Sequence, residues 1–268
     1  MKHTIKIRGI NLVYEDHGKG DVLVFIHGQP FNRSMWQYQI GRFAQTYRLI
    51  VPDLRGYGET DVPDSSRVLL DELALDILHL LKKLKIERAT FVGLSMGGQI
   101  VLELFQLAAG KFNAMVLADT DARAEDASGY QNRLDLSNRM VSEGMLKFTS
   151  DRISQFISSR TFETKPDVVA HLQQMMTGTN PIGAAMVQRG RAEREDHTNL
   201  LGEVDCPALI IVGADDVFTP VSAARYMHER ITGSQLSIIE NAGHIPSMEQ
   251  PDTFNDVLER FLARVYGH

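Results

Sequence analysis

The chain has 268 residues, of which 43% are hydrophobic, 23% charged and 7% aromatic. This composition can supply a large buried core and excludes the signature of a disordered protein. The 28 basic and 34 acidic residues give a net charge of −6, and no run is rich in lysine or arginine. We therefore expect no nucleic-acid surface and no anionic-membrane patch. A small-molecule substrate is the expected partner, and the sequence leaves the oligomeric state open, a homo-oligomer included.

The only cysteine is Cys206. A single cysteine excludes an internal disulfide and a cysteine-based metal cluster, and it favours a reducing compartment. Residues 1–6 alternate polar and apolar side chains, without the apolar stretch of a signal peptide. No segment approaches the roughly 20 apolar residues needed to span a bilayer. These features predict a cytoplasmic protein with no membrane attachment.

The predicted strands come in two kinds. Residues 4–8 and 11–15 alternate polar and apolar side chains, which predicts an antiparallel hairpin at a sheet edge. The later strands are short apolar runs rich in β-branched residues, typical of strands buried on both faces. They cover residues 22–26, 49–51, 90–92, 115–117 and 209–212, and a further strand is predicted at 235–239. Helical patterns lie between them, at residues 34–44, 69–84, 97–109, 221–230 and 253–265. The alternation predicts an α/β protein, a mostly parallel sheet with helices on both faces.

Residues 123–200 break this alternation, with polar and amphipathic helical patterns punctuated by glycine and proline. We predict that this segment is a helical cap, inserted into a core formed by residues 1–122 and 201–268. Ligands of open α/β sheets bind outside the carboxyl ends of the strands. A cap over that edge would shield a site from water. Its shape would select the substrate, which the sequence therefore does not name.

Residues 93–97, with the sequence GLSMG, follow the predicted strand 90–92 and open a predicted helix. This is the G-x-S-x-G motif in the strand–turn–helix context that a nucleophile elbow requires. Small residues are needed at Gly93 and Gly97, because the neighbouring backbone approaches too closely for a Cβ atom. Ser95 would stand at a helix N-terminus, where N–H groups stabilise developing negative charge. We predict that Ser95 is a catalytic nucleophile.

A serine nucleophile needs a base, and His244 is the predicted one. It lies in a loop directly after the predicted strand 235–239. That position brings it to the same sheet edge as Ser95. Most of the nine histidines lie instead in solvated or helical contexts.

The acid is expected after the strand 209–212, because serine, acid, histidine is the chain order of a triad built on an α/β-hydrolase sheet. Asp216 is preferred, since a triad acid accepts the Nδ1–H of the histidine and stabilises the imidazolium. Its neighbour Asp215 is more typical of a turn residue that bonds its own loop. Asp119 and Asp121, after the preceding strand, are the competing positions for the acid.

Acyl transfer also needs donors for the oxyanion. The backbone N–H of Met96 is the first predicted donor, because it follows the nucleophile. The second is the backbone N–H of Gln29, in the loop after strand 22–26, since Pro30 has no amide hydrogen. His27, in the same loop, is expected to orient the backbone and not to act as a base.

These segments stand in the order and spacing of one family: HGQP at 27–30, DLRGYG at 53–58, the elbow, residues 216–220 and the Gly-His pair at 243–244. The chain resembles the α/β-hydrolase superfamily over nearly its whole length. Within it, the chain is similar to compact hydrolases that include 3-oxoadipate enol-lactonase-like enzymes, arylesterases and cofactor-free perhydrolases. The resemblance implies an α/β-hydrolase fold and no metal or organic cofactor.

The expected activity is that of a serine hydrolase acting on a carboxylic ester or lactone of a small, largely apolar molecule. Superfamily members that open epoxides or remove halogens have aspartate where this chain has Ser95, which argues against both reactions. Three alternatives stay open: peracid formation, amide or C–C cleavage by the same triad, and a slow-turnover signalling protein that binds a ligand on this fold.

Residues near the motif loops and in the predicted cap are expected to contact substrate. The candidates are Phe31, Trp36, Met140, Phe218 and Ile245. Three arginines of the same predicted cap, Arg189, Arg191 and Arg194, are interleaved with acidic residues. The three guanidinium groups could hold a substrate carboxylate bidentately, but the interleaving favours a solvated helix face.

Overall fold

One eight-stranded sheet organises the computed structural model, which describes residues 1–267. Its order is β1-β2-β4-β3-β5-β6-β7-β8. From β3 to β8 neighbouring strands are parallel, whereas β2 is antiparallel to β1 and β4. The strands are β1 Lys2–Ile7, β2 Ile10–His17, β3 Val22–Ile26, β4 Arg48–Pro52, β5 Ala89–Leu94, β6 Phe112–Ala118, β7 Ala208–Gly213 and β8 Gln235–Ile239. The predicted α/β class is confirmed.

Burial along the strands explains their sequences. Every residue of β5 and β7 is buried, because helices cover both faces of a parallel sheet and both faces must then be apolar. Most of β1 is exposed, as its alternating sequence and edge position require. The central strands therefore form the rigid floor on which the loops at the carboxyl edge stand.

The helices outside residues 119–207 are α1 Gln37–Phe43, α2 Leu70–Lys83, α3 Met96–Ala108, α9 Val221–His228, α10 Pro246–Glu249 and α11 Pro251–Tyr266. The helix predicted at 34–44 begins instead as a 3₁₀ turn, Arg33–Trp36, where the Asn32 side chain accepts from the Ser34 N–H. The short helix α10 has no counterpart among the predicted elements. No helix within residues 1–267 combines the length and apolar character needed to cross a membrane.

Residues 119–207 contain no strand. They form α4 Ala127–Ser142, α5 Gly144–Phe156, α6 Ser159–Thr164, α7 Pro166–Gly178 and α8 Pro181–Ala192, called here the α4–α8 segment. Helix α4 packs on α8, and α5 packs on α7. Helix α8 lies directly on the core: a Cβ atom at Gly183 would stand 2.2 Å from the Gly56 carbonyl oxygen. The helical character of the segment matches the expectation, and the division into core and cap remains a prediction.

The chain order reverses beside β3, which has β4 on one side and β5 on the other. At such a switch point the connections leave the sheet in opposite directions and open a crevice at its carboxyl edge. Gln29 follows β3 and Ser95 follows β5, so the topology places both residues at this crevice.

Candidate active site

Ser95 joins β5 to α3 in a strained turn. Its φ of 56° and ψ of −116° lie in a region that L residues rarely adopt, and such strain persists only where the surroundings enforce it. The Ser95 N–H donates to the Ala118 carbonyl oxygen at 2.8 Å, and its own carbonyl oxygen accepts from Thr120 Oγ1 at 2.7 Å. These contacts to the end of β6 fix the backbone of the turn.

The two glycines of the elbow have the role that the sequence predicts. A Cβ atom at Gly93 would lie 2.2 Å from the Gly97 carbonyl oxygen, and one at Gly97 would lie 2.1 Å from the Ile26 carbonyl oxygen. Both neighbours are backbone, which cannot rotate away as a side chain can. The elbow therefore closes only with glycine at both positions, and it packs against the end of β3.

His244 and Asp216 form a buried pair. His244 Nδ1 lies 2.8 Å from Asp216 Oδ2, and the residues are 2% and 5% exposed. Burial alone would raise the pKa of Asp216, but the charge and hydrogen bond of His244 outweigh it and lower that pKa. The Phe218 N–H also donates to Asp216 Oδ1, at 2.8 Å. Asp216 is thus an ionised acceptor that orients His244, whereas Asp215 is exposed.

Asp119, a competing position for the acid, lies beside this pair. It is fully buried, its Oδ1 accepts the Gly213 N–H at 2.9 Å, and burial together with the negative charge of Asp216 raises its pKa well above the usual value. Asp119, Asp216 and His244 are the three potential metal ligands that cluster within 4.8 Å among residues 1–267. Asp216 and His244 already face each other at hydrogen-bond distance, so the cluster is an acid–histidine pair with a second buried carboxyl group beside it.

The loop after β3 lies against the elbow. A Cβ atom at Gly28 would stand 3.2 Å from Ser95 Cβ, and Gln29 is buried and lines the same cavity as Ser95. The Leu54 N–H donates to His27 Nε2 at 3.0 Å, while Nδ1 lies 2.8 Å from the Gly28 carbonyl oxygen. Both ring nitrogens of His27 are therefore occupied, and it holds the loop, as expected. Met96, the first residue of α3, is also buried.

Ser95 and His244 face one cavity of about 630 Å³. Of the five residues expected to contact substrate, Met140 and Phe218 line it. The expectation for the other three, Phe31, Trp36 and Ile245, is corrected, because they are fully buried outside the cavity wall.

Each of these three side chains has a packing role instead. The Phe31 ring packs edge-on against Phe156, 5.4 Å away. Trp36 packs between Phe25 and Phe254, and Ile245 is part of the hydrophobic core at the start of α10. These three residues lie next to the motif loops in the sequence, but their side chains belong to the hydrophobic core.

The prediction that Arg189, Arg191 and Arg194 form a solvated helix face is also wrong. Arg189 is half-exposed, but Arg191 is 7% exposed, and both Arg191 and Arg194 line the cavity. The reason is that α8 turns Gln188 and Arg191, one helical turn apart, toward the cavity. Its wall is consequently more polar and more cationic than a largely apolar ligand would require.

Glu249 is a supporting residue that the sequence did not reveal. It is fully buried, accepts the Gly243 N–H at 2.7 Å and accepts the Ser158 N–H at 2.7 Å. Burial raises its pKa. The His244 N–H donates to the Phe156 carbonyl oxygen at 3.0 Å. Together these bonds tie the His244 loop to the α4–α8 segment, and a lone glutamate in an ordinary helical context gives no signal for this role.

Known proteins share this architecture. A family model described as alpha/beta hydrolase fold matches residues 21–251. The 3-oxoadipate enol-lactonase 2 of Acinetobacter baylyi is 31% identical over 266 residues, which cover 98% of this chain and 97% of the relative. The solved structure of a thermophilic esterase from Thermogutta terrifontis, with malate bound, has a TM-score of 0.95 at 32% identity and covers 99% of each chain.

The enol-lactonase structure from Burkholderia xenovorans LB400 has a TM-score of 0.90 at 25% identity, covering 97% of this chain and all of that one. The matches extend across the sheet and the α4–α8 segment alike. They confirm the predicted resemblance and the prediction of an enzyme. The chain belongs to the α/β-hydrolase fold family.

Proposed function

We propose that this protein is a serine hydrolase that cleaves a carboxylic ester or lactone of a small molecule through an acyl-enzyme on Ser95. One observation carries the proposal: a strained elbow serine and a histidine held by a buried carboxylate open into the same cavity. The names of the similar proteins, an enol-lactonase and an esterase, support the same class of reaction. Catalytic roles for Ser95, Asp216 and His244 are part of this proposal.

In the first half-reaction, Ser95 Oγ attacks the substrate carbonyl carbon and its proton passes to His244 Nε2. Nδ1 of the same ring faces Asp216 Oδ2, so Nε2 is the nitrogen left for this transfer. The carbonyl π electrons move to oxygen, and the backbone N–H groups of Gln29 and Met96 stabilise that oxyanion. When the carbonyl re-forms, the C–O bond to the leaving alcohol breaks and the alkoxide takes the proton from His244.

In the second half-reaction, water attacks the acyl-enzyme and gives its proton to His244 Nε2. Collapse of the new tetrahedral intermediate releases the carboxylic acid, and the proton returns to Ser95 Oγ. Asp216 stays ionised throughout, because its environment lowers its pKa. For a lactone, the leaving alkoxide stays attached to the acyl group, so one product is released after the water step.

The test is the initial rate of hydrolysis of short- and medium-chain p-nitrophenyl esters and of simple lactones. Ser95→Ala should lower the rate by at least about 10³-fold, because the nucleophile is lost. The matched control is Ser34→Ala. Ser34 Oγ also contacts a histidine, His171 Nε2 at 2.9 Å, but Ser34 does not line the cavity that contains Ser95. The rate of this variant should therefore equal that of wild type. Intact-mass measurement of quenched wild type should show an acyl adduct that Ser95→Ala lacks.

Undiminished turnover by Ser95→Ala would overturn the proposal. Ser95-dependent turnover that yields a peracid with added hydrogen peroxide, or that occurs on amides or C–C bonds, would favour one of the alternative reactions. Tight ligand binding with at most one turnover would favour the signalling protein.

A further inference from the structure

A buried carboxyl group with no part in the proposed reaction lies beside the acid–histidine pair. Asp119 follows β6, is 1% exposed and has a φ of 45°, which few residues other than glycine adopt. Its N–H donates to the Ile211 carbonyl oxygen and its Oδ1 accepts the Gly213 N–H, both at 2.9 Å. These backbone contacts to β7 fix where the carboxyl group stands.

Asp119 and Asp216 receive unequal sets of hydrogen-bond donors. Asp216 accepts from two backbone N–H groups and from the Thr219 hydroxyl, and its Oδ2 faces His244 Nδ1. Asp119 accepts from one backbone N–H group, and its Oδ2 is buried with no donor among residues 1–267. Donors stabilise the ionised form of a carboxyl group. Ionisation is therefore favoured at Asp216 and disfavoured at Asp119.

The two carboxyl groups lie too close together to ionise at the same time. Potential ligand atoms of Asp119, Asp216 and His244 all lie within 4.8 Å of one another, and the two acids are within reach of a side-chain hydrogen bond. Burial, and next the charge of Asp216, raise the pKa of Asp119 well above its usual value, and the charge of Glu249 on α10 acts in the same direction. The proton then resides on Asp119, whose O–H group has Asp216 as its acceptor.

We propose that Asp119 is a positioning residue of the triad, whose protonated carboxyl group donates a hydrogen bond to Asp216 and so limits how strongly Asp216 stabilises the His244 imidazolium. This inference rests on the proposed function, in which Asp216 and His244 act on Ser95. Asp119 is not among the residues that line the cavity. It keeps its proton throughout the reaction and acts only through Asp216.

The hydrogen bond from Asp119 competes with His244 for the negative charge of Asp216. When His244 takes the proton of Ser95, Asp216 stabilises the imidazolium that forms. A second donor on Asp216 takes up part of that charge, because hydrogen bonds in one network polarise each other. The imidazolium then returns its proton to the leaving alkoxide more readily. The acid limb of the kcat/KM profile should therefore extend to a lower pH than it would without this hydrogen bond.

The first experiment measures kcat/KM against pH on a neutral p-nitrophenyl ester. Asp119→Leu has a similar volume and no donor, so the midpoint of the acid limb should move up by about half a pH unit or more. Asp119→Asn should return the midpoint toward that of wild type, because its amide N–H can donate to Asp216 while its oxygen accepts the Gly213 N–H. Asp215→Asn, which removes an exposed charge next to Asp216, is the matched control and should leave the midpoint unchanged.

Infrared spectroscopy gives a second readout that needs no turnover. The difference spectrum between wild type and Asp119→Asn at neutral pH should contain the carbonyl stretch of a protonated carboxyl group and no carboxylate stretches. In the Asp216→Asn background this carbonyl stretch should move to higher frequency, because a neutral amide is a weaker acceptor than a carboxylate. These spectra decide the inference even if Asp119→Leu is too poorly folded for kinetics.

An unmoved midpoint in folded Asp119→Leu would leave Asp119 a structural residue only and would overturn the inference. A downward shift in both Asp119 variants, or carboxylate stretches in the infrared difference, would also overturn it, because either result shows an ionised Asp119. Failure of the proposed function is distinguishable, because it appears as hydrolysis that survives Ser95→Ala, whereas the infrared result does not depend on any substrate.

Discussion

The two walls of the cavity are built in different ways. At the sheet edge, backbone contacts fix the site: the elbow glycines touch neighbouring carbonyl groups, and Ser95 is held at a positive φ. The α4–α8 segment presents long side chains such as Arg133 and Arg152 to the same cavity. Backbone contact tolerates few residue types, whereas side chains on a helix can be exchanged without moving the chain. The first wall should therefore set the chemistry, and the second the choice of substrate.

Asp216→Asn gives the largest expected effect at the sheet edge. The amide cannot stabilise the imidazolium, so kcat should fall by about 10³- to 10⁴-fold on every substrate, whatever its charge. Steady-state kinetics on one neutral and one anionic ester would show this uniform loss. Asp215→Asn, the neighbouring exposed carboxylate, should leave kcat unchanged. Near-full turnover by Asp216→Asn would transfer the role of the acid to Asp119 or Asp121.

Two glycine-to-alanine changes compare the loss of stability in the elbow with the loss in the α4–α8 segment. In Gly97→Ala the new methyl would lie 2.1 Å from a carbonyl oxygen, so the free energy of unfolding should fall by about 3 kcal/mol. In Gly178→Ala, at the end of α7, no atom beyond its chain neighbours and its own helix backbone lies within 4 Å of the new methyl, and the change should stay below about 1 kcal/mol. Urea denaturation followed by circular dichroism measures both. Equal losses in the two variants would contradict the comparison.

Asp119→Asn should have a smaller, pH-dependent effect. Because the pKa of Asp119 is raised above 3.8 in the folded protein, its contribution to stability is fully present below that pH and declines as pH rises toward the folded pKa. The amide mimics the protonated acid and cannot ionise. The variant should therefore gain stability relative to wild type between pH 4 and pH 8, by no more than the roughly 1–3 kcal/mol that an uncompensated buried polar group costs. Parallel curves against pH would show that Asp119 does not titrate in this range.

The sequence predicted best what short-range contact enforces. The turn at Ser95 needs glycine at positions 93 and 97, because neighbouring backbone leaves no room for a Cβ atom. The spacing of these glycines therefore located the elbow to the residue. The buried strands were recognisable because both of their faces are apolar. The ends of these strands were harder to predict, because pairing with neighbouring strands decides where a strand ends. Strand β4, for example, covers Arg48–Pro52, whereas the prediction was 49–51.

Contacts between distant parts of the chain were beyond the reach of local pattern. Trp36 packs on Phe254, more than two hundred residues away, so nothing near Trp36 distinguishes a core residue from a pocket residue. The exposure of Arg191 was predicted wrongly for a related reason. Acidic neighbours in sequence are typical of a solvated helix, but burial depends on which face α8 turns toward the sheet.

The bonds that tie the His244 loop to the α4–α8 segment limit how far this fold is modular. A chimera that exchanges residues 123–200 with those of a relative would replace the Phe156 carbonyl group and the Ser158 N–H, which hold that loop directly and through Glu249. The chimera would then depend on the new segment to place these two backbone groups, and with them His244, the proposed general base. A graft confined to residues 127–155 leaves these contacts in place, so pocket and catalysis can be re-engineered separately only inside that boundary.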